Sequence, residues 1–95
     1  MPALIWHPEA LADVARLHDF LAQTSPSAAR RGAAAIISAS KKIIRNPLIG
    51  SPYAEFREWP AKFGRRSYVL RYFILADGDV LITRVWHSRE QRPSP

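Results

Sequence analysis

Asp77-Gly78 separates two stretches rich in apolar and aromatic residues, Ser67 to Leu75 and Val80 to His87. An Asp-Gly pair between such runs is a strong short-range hairpin signal, because glycine accepts the positive φ that a two-residue turn demands. A turn of that kind also fixes the register. Leu75 then faces Val80, Phe73 faces Ile82, Arg71 faces Arg84, and Val69 faces Trp86. The other side pairs Ile74 with Leu81, Tyr72 with Thr83, Leu70 with Val85, and Tyr68 with His87. This second side is the more apolar and is expected to pack on helices.

Two helices precede the hairpin. After an apolar first strand from Ala3 to Trp6, His7-Pro8-Glu9 supplies helix-entry chemistry. Proline suits the first helical position, where its missing N–H has no partner to lose, and an acid in the first turn complements the helix dipole. Leu11, Val14, Leu17, His18 and Leu21 recur at helical spacing and carry helix one to about Ala22. Ser25 as cap and Pro26 at the first position open helix two. Its inner face is read as Ala29, Ala33, Ile36, Ser40, Ile43 and Ile44, with Arg30, Arg31, Lys41, Lys42 and Arg45 on the solvated side. The few residues between the helices make them antiparallel neighbours. Asn46-Pro47 ends the second helix. Ile49 to Pro52 reads as a turn, Ala54 to Trp59 as a strand, and Pro60 to Arg66 as a loop. The expectation is an α+β fold in the order strand, helix, helix, three strands: a helical hairpin packed on an antiparallel sheet.

A chain of 95 residues fits one domain, 1–95, with 88–95 expected to fray. With 47% hydrophobic residues it can build a true core. Cysteine is absent, which excludes disulfides and thiolate metal sites and suits a reducing compartment. No apolar run approaches the roughly 18 residues of a membrane span. Met1 to Trp6 does not read as a signal peptide, so the protein is expected to act in the cytoplasm. The formal charge of +6 biases it toward anionic partners.

Chemistry-bearing motifs are sparse. There is no glycine-rich phosphate loop, and the histidines are too scattered to predict a metal site. His7 and His18 read as helix-entry and helix-face residues. His87, followed by Ser88-Arg89-Glu90-Gln91-Arg92, admits two readings. It either pins a strand end through backbone hydrogen bonds or acts as a general acid or base beside phosphate-binding arginines. Trp6, Trp59 and Trp86 read as packing. Arg71 opposite Arg84 stands out, because like charges directly across a sheet repel. The pair implies an acidic partner, internal carboxylates such as Glu58, or plain solvation. If a partner is the answer, replacing either arginine with Ala should cost affinity rather than stability, relief of repulsion offsetting lost packing.

Several segments together resemble the RelE/ParE toxin superfamily of type II toxin–antitoxin modules. They are Ile5-Trp6-His7-Pro8-Glu9-Ala10 with Asp13, Ser25-Pro26-Ser27-Ala28-Ala29, Asn46-Pro47-Leu48-Ile49-Gly50, Arg57-Glu58-Trp59, Tyr68-Val69-Leu70-Arg71-Tyr72 and Arg84-Val85-Trp86-His87-Ser88-Arg89. Their order and spacing cover nearly the whole chain. The resemblance implies a toxin neutralised by a cognate acidic antitoxin, with Arg71, Arg84, Trp86 and Arg89 as residues that contact antitoxin or target. No cofactor is expected, and the absence of cysteine and of any histidine–carboxylate cluster predicts that the chain neither binds nor needs a metal.

The superfamily divides by mechanism. Ribonuclease members, which cut mRNA on the ribosome, resemble one another in basic second-strand residues, an arginine after the tyrosine opening the third strand, and a C-terminal acid–base residue. Here Phe56 and Glu58 stand at the second-strand positions, Val69 follows Tyr68, and the terminal tyrosine is missing. Arg89 matches a basic family position, and His87 is common to both branches. The pattern is similar to the ParE branch, which poisons DNA gyrase without turnover of its own. The alternative is a ribosome-dependent endoribonuclease in which His87 and Arg89 are catalytic.

Overall fold

The computed structural model describes residues 1–94. It contains β1 (Leu4–Trp6), α1 (Pro8–Ala22), α2 (Pro26–Arg45), a 3₁₀ turn (Pro47–Ile49), β2 (Ser51–Tyr53), β3 (Phe56–Phe63), β4 (Arg66–Ile74) and β5 (Val80–His87). The strands form one sheet in the order β1-β5-β4-β3-β2, and the helical hairpin packs against it through α1 on β5 and α2 on β3. The expected α+β layout is thus observed, with one change. The sheet is mixed, because β1 runs parallel to β5 while every other neighbouring pair is antiparallel. A parallel pair requires a long crossover, and the two helices and intervening strands between β1 and β5 provide one.

Both helices start where their caps dictate. The His7 Nδ1 accepts the Glu9 N–H at 3.0 Å, and the Ser25 Oγ accepts the Ala28 N–H at 3.1 Å. The buried face of α1 is Ala10, Asp13, Leu17 and Leu21, while Leu11 is 54% exposed. Leu17 and Leu21 are buried as the apolar spacing predicts and Val14 packs at their edge, but in the first half of the helix Ala10 and Asp13 take the inner positions, the second of which an apolar count could not register. In α2 the buried face is Ala29, Gly32, Ile36, Ala39, Ser40 and Ile43, so Gly32 replaces Ala33 at the contact. A Cβ at Gly32 would lie 2.9 Å from Leu21 Cδ1 and 3.2 Å from Tyr68 Oη, which is why the closest approach of α2 to α1 and the sheet falls there.

The strands from 51 to 66 differ from expectation. Part of the expected turn is β2, and most of the expected loop belongs to β3, which continues through Pro60 to Phe63. Proline is admitted because β2 covers β3 only at Phe56 to Glu58, leaving the outer edge of β3 free of a neighbour at Pro60. A two-residue turn at Gly64-Arg65, with Gly64 at φ 57°, then joins β3 to β4.

The β4–β5 hairpin follows the expected register for only half its length. Tyr68↔His87, Val69↔Trp86, Leu70↔Val85 and Arg71↔Arg84 are as predicted. Nearer the turn the pairs are Tyr72↔Ile82, Phe73↔Leu81 and Ile74↔Val80, a slip of one residue that leaves Thr83 as a bulge. The loop is longer than two residues. Gly78, at φ 91°, donates to the Leu75 carbonyl, and the Leu75 N–H reaches the Asp79 carbonyl. This is a three-residue turn with glycine in the left-handed position. The slip changes which side chains face inward. Val80 and Ile82 join Tyr68, Leu70, Tyr72 and Val85 under the helices, in place of Leu81 and Thr83. Each such large apolar side chain fully buried contributes about 1.5–3 kcal/mol.

Candidate functional site

The outer, helix-free face of the sheet gathers the two arginines. Arg71 on β4 is only 4% exposed. Its guanidinium carbon lies 4.7 Å from the Trp86 ring, 5.0 Å from Tyr53 and 5.8 Å from Phe56. Its Nε donates to Glu58 Oε2 at 3.0 Å and its Nη1 to the Pro93 carbonyl at 3.1 Å. Arg84 on β5 stacks on the same Trp86, 4.9 Å from the ring. It grips Asp13 with two bonds, Nε to Oδ2 at 2.8 Å and Nη2 to Oδ1 at 3.2 Å, and lies 3.5 Å from Glu9. Trp86 therefore sits beneath both cations, an arrangement that ring quadrupoles favour.

Of the answers open for the Arg71–Arg84 repulsion, internal carboxylates are realised, one for each arginine. Glu58 was a named candidate. Asp13 was not, although an aspartate on the inner stripe of a helix between Ala10 and Leu17 is the signal that could have found it. Its placement has a second cause. The Val85 N–H lies beyond the reach of β1, which pairs with β5 only at Val80 to Ile82. Asp13 Oδ2 accepts that N–H at 2.9 Å and so stands in for a missing strand. The hydrogen bond to Asp13 also raises the Arg84 pKa above its ordinary value, overcoming partial burial.

In the segment expected to fray, Ser88, Arg89, Glu90, Arg92 and Pro93 make hydrogen bonds; Pro95 lies outside the described residues. Arg92 Nη2 lies 3.3 Å from Glu58 Oε1, and Pro93 gives its carbonyl to Arg71. The tail therefore crosses the outer face. A groove of about 380 Å³ opens beside it, lined by Glu9, Phe56, Arg71, Thr83, Arg84 and Pro93.

His87 and Arg89 fall elsewhere, on the helix side at the far end of β5. His87 Nδ1 accepts the Arg89 N–H at 3.1 Å, and the ring stands edge-on to Tyr68 with centroids 5.8 Å apart. Accepting through Nδ1 places the ring proton on Nε2. This is the strand-pinning arrangement, and among the described residues Nε2 has no hydrogen-bond partner. Arg66 and Arg89 line the same cavity as His87, about 540 Å³. Burial pushes the Tyr68 phenol up, opposed by Arg66. The other histidines take structural places: His7 caps α1, and His18 lies 3.4 Å from Asp19 at the surface. Trp6 and Trp59 pack on the core. Among the described residues no cluster of His, Cys, Asp or Glu is arranged to hold a metal ion, and no helix is long and apolar enough to cross a membrane.

Comparison with known proteins places this geometry. The family model described as the ParE toxin of type II toxin-antitoxin system, parDE, matches residues 4–92. Toxin RelE3 of Caulobacter vibrioides is 34% identical over 86 residues, covering 90% of this chain and 92% of its own. Toxin RelE2 of the same organism is 35% identical over 89 residues, covering 93% and 97%. A chain from the structure of the chromosomal ParDE TA system from P. aeruginosa superposes with a TM-score of 0.72 at 20% identity, covering 92% of this chain and 96% of that one. The chain belongs to the ParE toxin family and is a toxin of a type II toxin–antitoxin system. Its relatives carry RelE names while the family model carries the ParE name, so the names leave the cellular target open.

Proposed function

We propose that this toxin stops growth by binding DNA gyrase and trapping it on cleaved DNA, and that a cognate acidic antitoxin neutralises it in the cytoplasm. The observation that carries this reading is the charge balance of the outer face. Phase-matched to the ribonuclease branch, Phe56, Glu58 and Val69 stand where basic groups would hold mRNA. The cations on this face, Arg71, Arg84 and Arg92, are all held by carboxylates, Arg84 by Asp13 and the other two by Glu58. Phosphodiester cleavage needs uncompensated positive charge at the developing phosphate charge, and this face offers little.

The second reading, a ribosome-dependent endoribonuclease, draws support from His87, whose Nε2 has no partner among the described residues, beside Arg66 and Arg89. One pair of assays separates them. Purified toxin added to gyrase in a supercoiling reaction should accumulate cleaved DNA, and a His87→Ala variant that melts like the parent should do the same. Primer extension on mRNA from expressing cells should show no cuts. Discrete cuts within ribosomal A-site codons, abolished by His87→Ala, would reverse the assignment, since losing a general acid or base costs about 10²–10⁴-fold in rate.

For the antitoxin we assign the outer face, with Arg71, Arg84 and Trp86 as its anchors; Arg89, on the helix side, lies off that face and is left to a contact with the target. The Pro93 carbonyl on Arg71 supports an extended acidic segment lying across the same strands, its carboxylates or carbonyls taking the position of the tail.

A further inference from the structure

The bulge that turned Val80 and Ile82 inward also turned Leu81 out. Leu81 pairs with Ile5 of β1 on one side and with Phe73 of β4 on the other, and the Phe73 ring meets Phe56 of β3 with centroids 6.0 Å apart. The chain neighbours Leu4, Trp6, Ile74 and Ile82 pack on the core. By strand alternation Ile5, Leu81 and Phe73 therefore point to the helix-free face, where Phe56 joins them. The four make one apolar row across four strands, about 15 Å long at the usual strand spacing. Ile5 is 40% exposed, and the other three are half-buried. A contiguous apolar patch on a sheet marks a contact surface.

The charge around the row selects its partner. The chain carries +6, yet this face is balanced: Glu58 meets Arg71 and Arg92, and Asp13 meets Arg84. Exposed Glu9, and exposed Glu55 in the turn between β2 and β3, line the groove beside Phe56 and Arg84. The surplus cations Arg30, Arg31, Lys41, Lys42 and Arg45 belong to α2, on the opposite side of the sheet. Glu9 and Glu55 repel a polyanion, and an acidic segment bonded to Arg71 accounts for the arginines but not for the row. Two copies of the chain repel one another through their helix sides and can approach through this face. A two-fold contact needs a patch that complements itself, apolar at its centre with both signs of charge at its rim. We infer that two copies of the toxin pair here, the row from Ile5 to Phe56 of one laid against that of the other, with Glu9 and Glu55 meeting Arg84 and Arg92 across the contact. The pair covers the surface assigned to the antitoxin, so pairing and neutralisation exclude each other, and the antitoxin takes monomers. The inference stands whichever cellular target the toxin has.

Sedimentation velocity on the full chain without antitoxin should show a concentration-dependent equilibrium between monomer and dimer. Ile5→Glu should weaken it about 10–100-fold, the size expected when a central interface residue is lost. Because Ile5 is exposed, that variant should melt like the parent. Glu55→Arg, in an exposed turn, should weaken pairing severalfold by setting like charges across the contact, and it tests the rim even if Ile5→Glu fails to fold. The chain has no cysteine, so single cysteines locate the contact. Ile5→Cys should be joined into dimers by a bis-maleimide reagent long enough to span the row. Ile37→Cys, at a residue 42% exposed on α2, should stay monomeric under the same treatment. A parent that is monomeric at every concentration, a dimer unchanged in both Ile5→Glu and Glu55→Arg, or cross-linking at position 37 as efficient as at position 5 would overturn the pairing. None of these outcomes touches the antitoxin assignment, since no antitoxin enters the experiment.

Discussion

Asp13 is the residue on which most converges. One carboxylate holds Arg84 by two bonds, accepts the Val85 N–H, and lies 3.7 Å from Arg16. Breaking a fully buried pair costs about 3–5 kcal/mol; Arg84 is about one-third exposed, so solvent moderates the loss. Asp13→Ala should therefore destabilise the fold by about 2–3 kcal/mol, measured by denaturant unfolding, and Asp13→Asn by less because an amide oxygen can still accept the Val85 N–H. Arg71 is bound the same way. Its removal leaves Glu58, 14% exposed at the side chain, with Arg92 alone. The expectation that Arg71→Ala or Arg84→Ala spares stability is reversed, since the repulsion it would relieve is already neutralised. Each should lower stability by about 1.5–3 kcal/mol, and an unchanged unfolding midpoint would show these ion pairs to be worth nothing net.

At the scale of elements, the corner where the 3₁₀ turn meets the sheet depends on Tyr72. Its hydroxyl donates to the Pro47 carbonyl at 2.6 Å and accepts the Gly50 N–H at 2.9 Å, while Arg57 donates to the Gly50 carbonyl at 2.8 Å. A Cβ at Gly50 would stand 2.6 Å from that hydroxyl, so a glycine is required where the chain between the 3₁₀ turn and β2 closes on Tyr72. Tyr72→Phe removes one oxygen and strands two backbone groups, a cost of about 1–3 kcal/mol at neutral pH. Burial raises the pKa of both Tyr68 and Tyr72 above the ordinary tyrosine value near 10. A proton held more tightly in the folded state stabilises it fully below about pH 10, and that contribution is lost as pH rises through the folded values. Melting temperature should fall steeply above about pH 10, and Tyr72→Phe should flatten the fall. A profile that is flat up to pH 11 in the parent would contradict it.

Across the whole molecule, a surplus of positive charge meets a tail that crosses the outer face. Arg92 holds Glu58, and the Pro93 carbonyl occupies Arg71, an anchor assigned to the antitoxin. If the tail and antitoxin share that face, a chain ending at Gln91 should associate faster with the cognate antitoxin than the full chain does. Both association rates should drop with added salt, as for any electrostatically steered encounter. Stopped-flow mixing at two ionic strengths measures this; equal rates with and without the tail would place the antitoxin elsewhere.

What the sequence determined by itself was local. Pro8 and Pro26, with the caps His7 and Ser25, set the helix starts, and Pro47 the end of the second helix, because proline and capping chemistry act within a few residues of themselves. Asp77-Gly78 marked the hairpin, and Arg71 opposite Arg84 followed from it. The family was legible because its segments recur in order along one short chain. Tertiary structure decided the rest. The bulge at Thr83 turned Val80 and Ile82 inward, and no alternation pattern announces a one-residue slip. Pro60 entered a strand because the neighbouring edge happened to be open. Asp13 became a core residue because β1 is too short to reach Val85, a fact that lies 72 residues away along the chain. Charges are read from sequence one at a time, whereas their compensation depends on which distant elements meet. That is why the two arginines and Glu58 were visible beforehand and Asp13 only in the fold.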